Sequence, residues 1–341
     1  MKAWLCLLLV ALPALTGCGG SANADAPLSS RERVWVRQFA LWAHTTQNAG
    51  DAGLGVLSSV LAGSGTRADY DRAVAPMREC RTRFEAKVGD APTKRLEPAQ
   101  KLALEGCASF QRWVRAESRA LTGPPGDALL ESQAALAEGN RLWLESDRML
   151  EAVSPWNRPL PVRTGEVDAS RVEPRFGRVG SALANRPVQV RCWSSKEWPR
   201  ILGDWRAYTA DEHEAIGFVA SFDRGRLSLA PRICRQLAAL TYGGSRPRGG
   251  AARLDLAEAV ETLAHEVEHL VSPGTEADTE CYGMQDMRRV AMLLGAERAY
   301  ADGLAEVFWR DLYPRNSPAY RTARCRDGGP LDRNPSSPVW P

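Results

Sequence analysis

The sequence predicts an α+β protein that is mainly α, with an N-terminal helical bundle followed by a C-terminal lobe holding a short β-hairpin sheet and one buried helix. Three observations carry this. The 341 residues are 44% hydrophobic and 25% charged, the composition of a folded globular chain. Apolar residues recur at helical spacing from Ser29 to about Val153, whereas short β-like runs occur only between 188 and 230. A stretch rich in Pro, Arg and Gly separates the two regions. Two domains are expected, because a single core stops growing near roughly 250 to 300 residues. The 44 Lys+Arg and 41 Asp+Glu leave a net charge of +3, too even for the concentrated basic surface that phosphate binding needs, so no nucleic-acid partner is expected.

Residues 1–20 (MKAWLCLLLVALPALTGCGG) carry one Lys, an apolar run from Ala3 to Leu15, then small residues. The run is shorter than the roughly 20 apolar residues of a membrane helix and contains Pro13, so it reads as a secretory signal. Leu15, Thr16, Gly17 and Cys18 resemble the lipobox of bacterial lipoproteins, in which the signal is cut before the Cys and that Cys is lipidated. The resemblance implies a signal peptide over 1–17 and a flexible tether over 18–30. It also implies export, with acyl chains on Cys18 holding the chain at the extracytoplasmic face of a bacterial membrane. The alternative is a plain cleaved signal with an incidental Cys.

The bundle domain spans 31–153. Ser29 or Ser30 caps its first helix, whose apolar stripe begins with Val34, Phe39, Leu41 and Trp42. Further helices are expected over 66–88, 94–121 and 127–153, separated by GDAP at 89–92 and TGPPG at 122–126. Trp35, Trp42, Trp113 and Trp143 are expected in the core. Residues 154–187 carry little periodicity and read as a linker along the surface. The second domain, 188–341, opens with β-like runs at Val188–Trp193, Ile216–Phe222 and Arg226–Ala230, the last two forming a hairpin. Helical patterns follow at Ile233–Tyr242, Asp255–Val271, Glu276–Leu294 and Glu297–Leu312, ahead of an irregular tail.

Beyond Cys6 and Cys18, six cysteines remain: Cys80, Cys107, Cys192, Cys234, Cys281 and Cys325. An even number in an exported chain predicts up to three disulfides, with fifteen connectivities formally open. Cys80 lies 13 residues before the turn near Thr93 and Cys107 lies 14 after it, so they stand at similar height on a helical hairpin. Cys192, on a candidate strand, and Cys234, just past the hairpin, are candidates for a second bridge. Cys281 and Cys325 are candidates for a third, which would pin the tail. No CxxC occurs, so no cysteine-based metal or redox site is expected.

Leu263–Leu270 reads LAHEVEHL, in which His265, Glu266 and His269 form an H-E-x-x-H. On a helix, residues i and i+4 share a face, so both imidazoles reach one tetrahedral cation while Glu266 stands beside the open coordination position. Zinc with three protein ligands lowers the pKa of a bound water toward neutrality, and Glu266 is placed to take the proton. With four His in the chain, the expected number of accidental matches is on the order of 10⁻². A third ligand is sought in the following LVSPGTEADTEC. Thr275 caps a new helix there, which puts Glu276 in its first turn and Glu280 one turn later on the same face. Asp278 and Glu268 point off that face.

Here the segment resembles the zincin metallopeptidases of the gluzincin type, in which H-E-x-x-H is completed by a Glu on a following helix. The resemblance implies Zn2+ as cofactor, His265, His269 and Glu276 as ligands, and Glu280 as the support of the site, with the two Glu roles exchanged as the alternative. It covers 263–285 in motif and Val188 to the C-terminus in architecture. The gap of 7 from His269 to Glu276 is shorter than in thermolysin-like enzymes. Ser272 and Thr275 stand where a metzincin carries Gly and a third His.

The function this implies is a lipid-anchored extracytoplasmic zinc metallopeptidase acting on a peptide or protein substrate, with Glu266 as general base. The oxyanion donor is sought among His213, Tyr242 and Tyr282. Two alternatives stand beside it. One is a non-catalytic surface lipoprotein in which zinc braces the fold and the helical domain binds a partner. The other is hydrolysis of a non-protein amide, such as a cell-wall crosslink. Glu266 favours catalysis, because a structural zinc site has no use for a general base.

Overall fold

The computed structural model describes residues 26, 28–124, 126–166, 168–209, 215–221, 225–243, 246–272 and 274–341. The signal over 1–17, Cys18 and the tether as far as Asp25 lie outside the described residues. Among those described, no helix is long and apolar enough to cross a membrane. Helix makes up 66% and strand 5%, so the fold is α+β and mainly α.

The first helix, α1 (Ser30–Leu61), opens on a capping box: the Ser29 hydroxyl accepts from the Glu32 backbone N–H while the Glu32 carboxylate accepts from that of Ser29. The helix expected over 66–88 is three short ones, α2 (Arg67–Ala73), α3 (Ala75–Arg78) and α4 (Cys80–Lys87). Pro76 accounts for the first break, after Ala73, since it lacks the N–H that a continuous helix would send to Arg72 and its ring crowds that carbonyl. The next two, α5 (Glu97–Ala120) and α6 (Gly126–Ala152), pack against each other across the TGPPG turn. Phe39, Trp42 and Phe84 meet edge to face inside the bundle, Trp42 and Phe84 with centroids 4.8 Å apart. Trp35, Trp42 and Trp113 are buried and Trp143 is half-buried. A disulfide joins Cys80 to Cys107.

Residues 154–187 correct the expectation of a surface linker. They contain a 3-10 turn (Pro155–Asn157), β1 (Arg171–Val172) and α7 (Pro174–Ala184), and Trp156, Arg171, Glu173 and Phe176 are fully buried. The arginine content misleads here because Arg171 is buried as an ion pair, its Nε 3.3 Å from Glu173 Oε2. Glycine misleads as well: a Cβ on Gly180 would come within 2.8 Å of Val188 Cγ1, so α7 uses it to approach the strand that follows.

That strand, β2 (Gln189–Cys192), lies in a four-stranded sheet with β3 (Gly217–Ser221) and β4 (Arg226–Leu229), ordered β1-β2-β4-β3. The β3–β4 pair is the expected antiparallel hairpin, while β2 runs parallel to β4 with Cys192 opposite Leu229. The hairpin's outer strand, β3, is thus a sheet edge. Between β2 and β3 in the chain comes α8 (Trp198–Thr209), where no element is expected from the sequence. Its Trp205 stacks on Phe218 at 4.2 Å, closing a small core with Trp156, Trp193 and Ile201. The bundle leans on this helix through an Arg33–Asp204 ion pair and a hydrogen bond from the Tyr208 hydroxyl to Asp147.

Four helices complete the lobe: α9 (Pro231–Thr241), α10 (Gly250–Val271), α11 (Glu276–Leu293) and α12 (Arg298–Val307), the last continued by a π-turn at Phe308–Leu312. The centre is α10, buried almost all round from Leu256 to Leu270. Disulfides tie Cys192 to Cys234 and Cys281 to Cys325, so the irregular tail is fastened to α11.

Candidate metal centre

One turn of α10 separates His265 from His269, and their Nε2 atoms converge to 3.0 Å. The Thr275 hydroxyl caps α11 by accepting from the Asp278 N–H at 3.2 Å, and the short turn before it brings first-turn Glu276 back over the histidines. Glu276 Oε2 lies 3.1 Å from His265 Nε2 and 3.3 Å from His269 Nε2. A tetrahedral zinc held at about 2.0 to 2.1 Å requires donor atoms roughly 3.3 Å apart, so this triangle fits such an ion. Two imidazoles and a carboxylate are also the donor types zinc takes.

The other ring nitrogen of His265 faces a second pair of carboxylates. Its Nδ1 is 2.9 Å from Glu280 Oε2 and 3.7 Å from Glu261 Oε1. A carboxylate there holds a proton on Nδ1 and leaves the Nε2 lone pair for a metal. Asn316, from the tail, donates to the remaining Glu280 oxygen. Glu276 thus lies on the Nε2 side of His265 and Glu280 on the Nδ1 side. Glu268 and Asp278 face away, paired with Arg333 and Arg324.

Charge is unusually dense for so dry a place: His265, Glu261, Glu266 and Glu280 are each 6% exposed or less. Burial pushes the Glu266 carboxyl above the usual carboxylate range, against the pull of His265 and His269. Burial raises Glu261 further, and the neighbouring Glu280 carboxylate adds to it. Glu276 goes the other way: burial would raise it, but hydrogen bonds from His265 and His269 hold it well below the usual range. Burial opposes charge on His265, yet Glu276 and Glu280 keep its imidazolium well above the ordinary histidine range.

Glu266 stands on the edge-strand side. Its Oε2 is buried without a hydrogen-bond partner among the described residues. Its Oε1 lies where a Cβ on Gly217 of β3 would come within 2.6 Å. A cleft of about 430 Å³ opens in front of it, lined by Ile216, Gly217, Phe308, Leu312 and Tyr320 among others.

Of the three donors sought from sequence, His213 lies outside the described residues. Tyr242 is elsewhere, its hydroxyl donating to Glu173 at 2.7 Å, and Tyr282 lies beneath the Arg333 guanidinium, 4.1 Å from its ring centroid. Sequence reasoning misses Tyr320, whose ring centroid is 5.8 Å from that of His265. It misses Asn316, Gly217 and Glu261 too. Glu261 carries a signal, four residues before His265 on the same face; the tail residues carry none except the Cys281–Cys325 bridge that brings them back.

No protein-family model, curated protein or solved structure matches the chain.

Proposed function

We propose that the chain is an exported, lipid-anchored zinc metallopeptidase that hydrolyses peptide bonds, with His265, His269 and Glu276 as metal ligands and Glu266 as general base. The observation that carries the reading is the pairing of two things at one spot. Three donor atoms stand 3.0 to 3.3 Å apart, and beside them is the buried carboxylate of Glu266, which lines a cleft and has one oxygen without a hydrogen-bond partner among the described residues. When bound, zinc supplies a Lewis acid that polarises a carbonyl and lowers the pKa of water.

The chain's own residues supply the remaining steps. Glu266 accepts the proton of the attacking water and hands it to the departing amine. Burial suits it to this, since a carboxyl raised above its ordinary range holds a proton more readily and so carries it better between the two stages. Glu280 fixes the His265 ring, and Asn316 fixes Glu280. Export and lipidation rest on Leu15–Cys18 and accord with three disulfides, which persist outside the reducing cytosol.

The test is metal content and peptide hydrolysis on the soluble protein from Gly19 onward. Wild type is expected to hold about one zinc and to cleave. Glu266→Ala should keep the metal and lose turnover, while Glu276→Ala should lose the metal. A protein that takes up no zinc overturns the reading. One that binds zinc but cleaves nothing in a broad peptide library leaves a bracing metal, or a non-peptide amide substrate, as the better account.

A further inference from the structure

A cavity of about 510 Å³ lies far along the chain from the metal centre, in the bundle between α1 and α6. Its walls are two helical faces. Phe39, Ala43, Gln47, Gly50 and Leu54 follow one another at three- and four-residue steps along α1, with Asp51 beside Gly50, and α6 answers with Leu136, Asn140, Trp143, Leu144 and Asp147. At 1.5 Å per residue the α1 stretch from Phe39 to Leu54 spans about 22 Å and the α6 stretch from Leu136 to Asp147 about 16 Å, three to four helical turns. The floor is aromatic and preformed: Phe110 meets Trp143 edge to face at 5.1 Å, and Trp143 packs in turn on buried Trp42 at 5.3 Å. Leu54 and Leu144 stand at the mouth, 39% and 59% exposed.

The charge of the lining is one-sided. Among the described residues that line it, Asp51 and Asp147 are the ionisable ones, and none is Lys or Arg. A slot of this length with an apolar floor and acidic rims complements a helix that carries an apolar stripe flanked by cations. We infer that the α1–α6 groove docks an amphipathic helix of the protein substrate, apolar stripe inward and basic residues against Asp51 and Asp147. That the bound protein is a substrate rests on the peptidase reading above; that the groove takes a basic amphipathic helix does not. A physical link joins the groove to the catalytic lobe, because Asp147 on its rim accepts a hydrogen bond from Tyr208 of α8. The same helix carries Trp205, stacked on Phe218 of the edge strand that borders Glu266.

The test uses the whole mature protein with Cys18→Ser, so that no detergent competes for the groove, and two designed peptides of about four turns sharing one leucine stripe, one flanked by lysines and the other by glutamates. The lysine peptide is expected to bind saturably, and the glutamate peptide about tenfold more weakly or worse. Leu144→Glu, at an exposed site that tolerates the change, and Ala43→Trp, which fills the slot, should each weaken the lysine peptide by about tenfold. Asp51→Lys should narrow the preference between the peptides. Chelating the metal should change none of these affinities, which separates failure of the groove from failure of the peptidase. Equal binding of both peptides, no saturable binding of either, or affinities untouched by Leu144→Glu and Ala43→Trp would each overturn the inference. So would dimerisation of the protein through this face that the lysine peptide does not compete away.

Discussion

Gly283 of α11 lies so close to His265 of α10 that a methyl group at residue 283 would stand 2.9 Å from both the Cα and the backbone nitrogen of His265. Since α11 carries Glu276 and Glu280, this contact sets the separation between the histidines and both carboxylates that address them. Backbone atoms of a buried helix do not yield, so Gly283→Ala must push the helices apart. The expected result is a loss of about 1 to 3 kcal/mol of stability together with weaker zinc binding. A thermal melt and a zinc titration of the variant decide it; wild-type values in both would mean that the helix spacing does not control the site.

Gly217 makes the corresponding approach from the sheet. A Cβ there would meet Glu266 Oε1 at 2.6 Å, and the flexible carboxylate, rather than a backbone, is what must move. Gly217→Ala is therefore expected to fold and to retain metal while losing turnover by about a hundredfold, the scale of a misplacement near 1 Å. Steady-state kinetics alongside metal analysis test this. Unchanged kcat would remove Glu266 from the mechanism or show that its position is unimportant.

Glu280 addresses the site from the Nδ1 side of His265. With Glu280→Gln the ring loses the carboxylate at Nδ1, 2.9 Å away, while His265, His269 and Glu276 are untouched. Zinc affinity is expected to fall by about 10- to 100-fold with the ligand set intact. Competition against a chelator of known affinity measures it, with Glu276→Gln as the comparison that should lose far more. If Glu280→Gln proves the worse of the two, the roles of the two carboxylates are exchanged.

The sequence reveals most where local rules operate. His265, Glu266 and His269 are legible because a helix puts i and i+4 together, and Glu276 because Thr275 announces a cap. The bridge from Cys80 to Cys107 is legible from distances along a hairpin. What stays hidden depends on contacts distant in the chain. Arg171 reads as a solvent-loving linker residue until Glu173 and the sheet enclose it. Tyr320 and Asn316 reach His265 and Glu280 only because the tail is folded back across α11. Gly217 and Gly283 look like ordinary glycines, and their meaning lies entirely in the partner each admits. Pro76, by contrast, was a local signal against one long helix over 66–88, and it outweighs the apolar periodicity there.

At the start of α1, Glu32 is 3% exposed and bound on both oxygens by Arg95, at 2.7 Å to each, with Thr93 and the Ser29 N–H as further donors. Arg95 also donates to the Ala26 carbonyl at 2.9 Å, so this one guanidinium fastens the start of the described chain to α1. Burial alone would raise the Glu32 carboxyl, but these donors bring it from 4.5 down to about 2. A carboxyl depressed in the folded state binds fewer protons than in the unfolded chain, so its stabilisation is complete above pH 4.5 and is lost as the pH falls toward 2. Glu32→Gln is expected to cost roughly 3 kcal/mol near neutrality, because it leaves Arg95 buried without its counter-charge. The difference from wild type should shrink across that acid window. Urea unfolding of both proteins, repeated at steps from neutrality to about pH 2, gives the curve; a difference that stayed constant with pH would show that Glu32 contributes through its shape and hydrogen bonds and not through its charge.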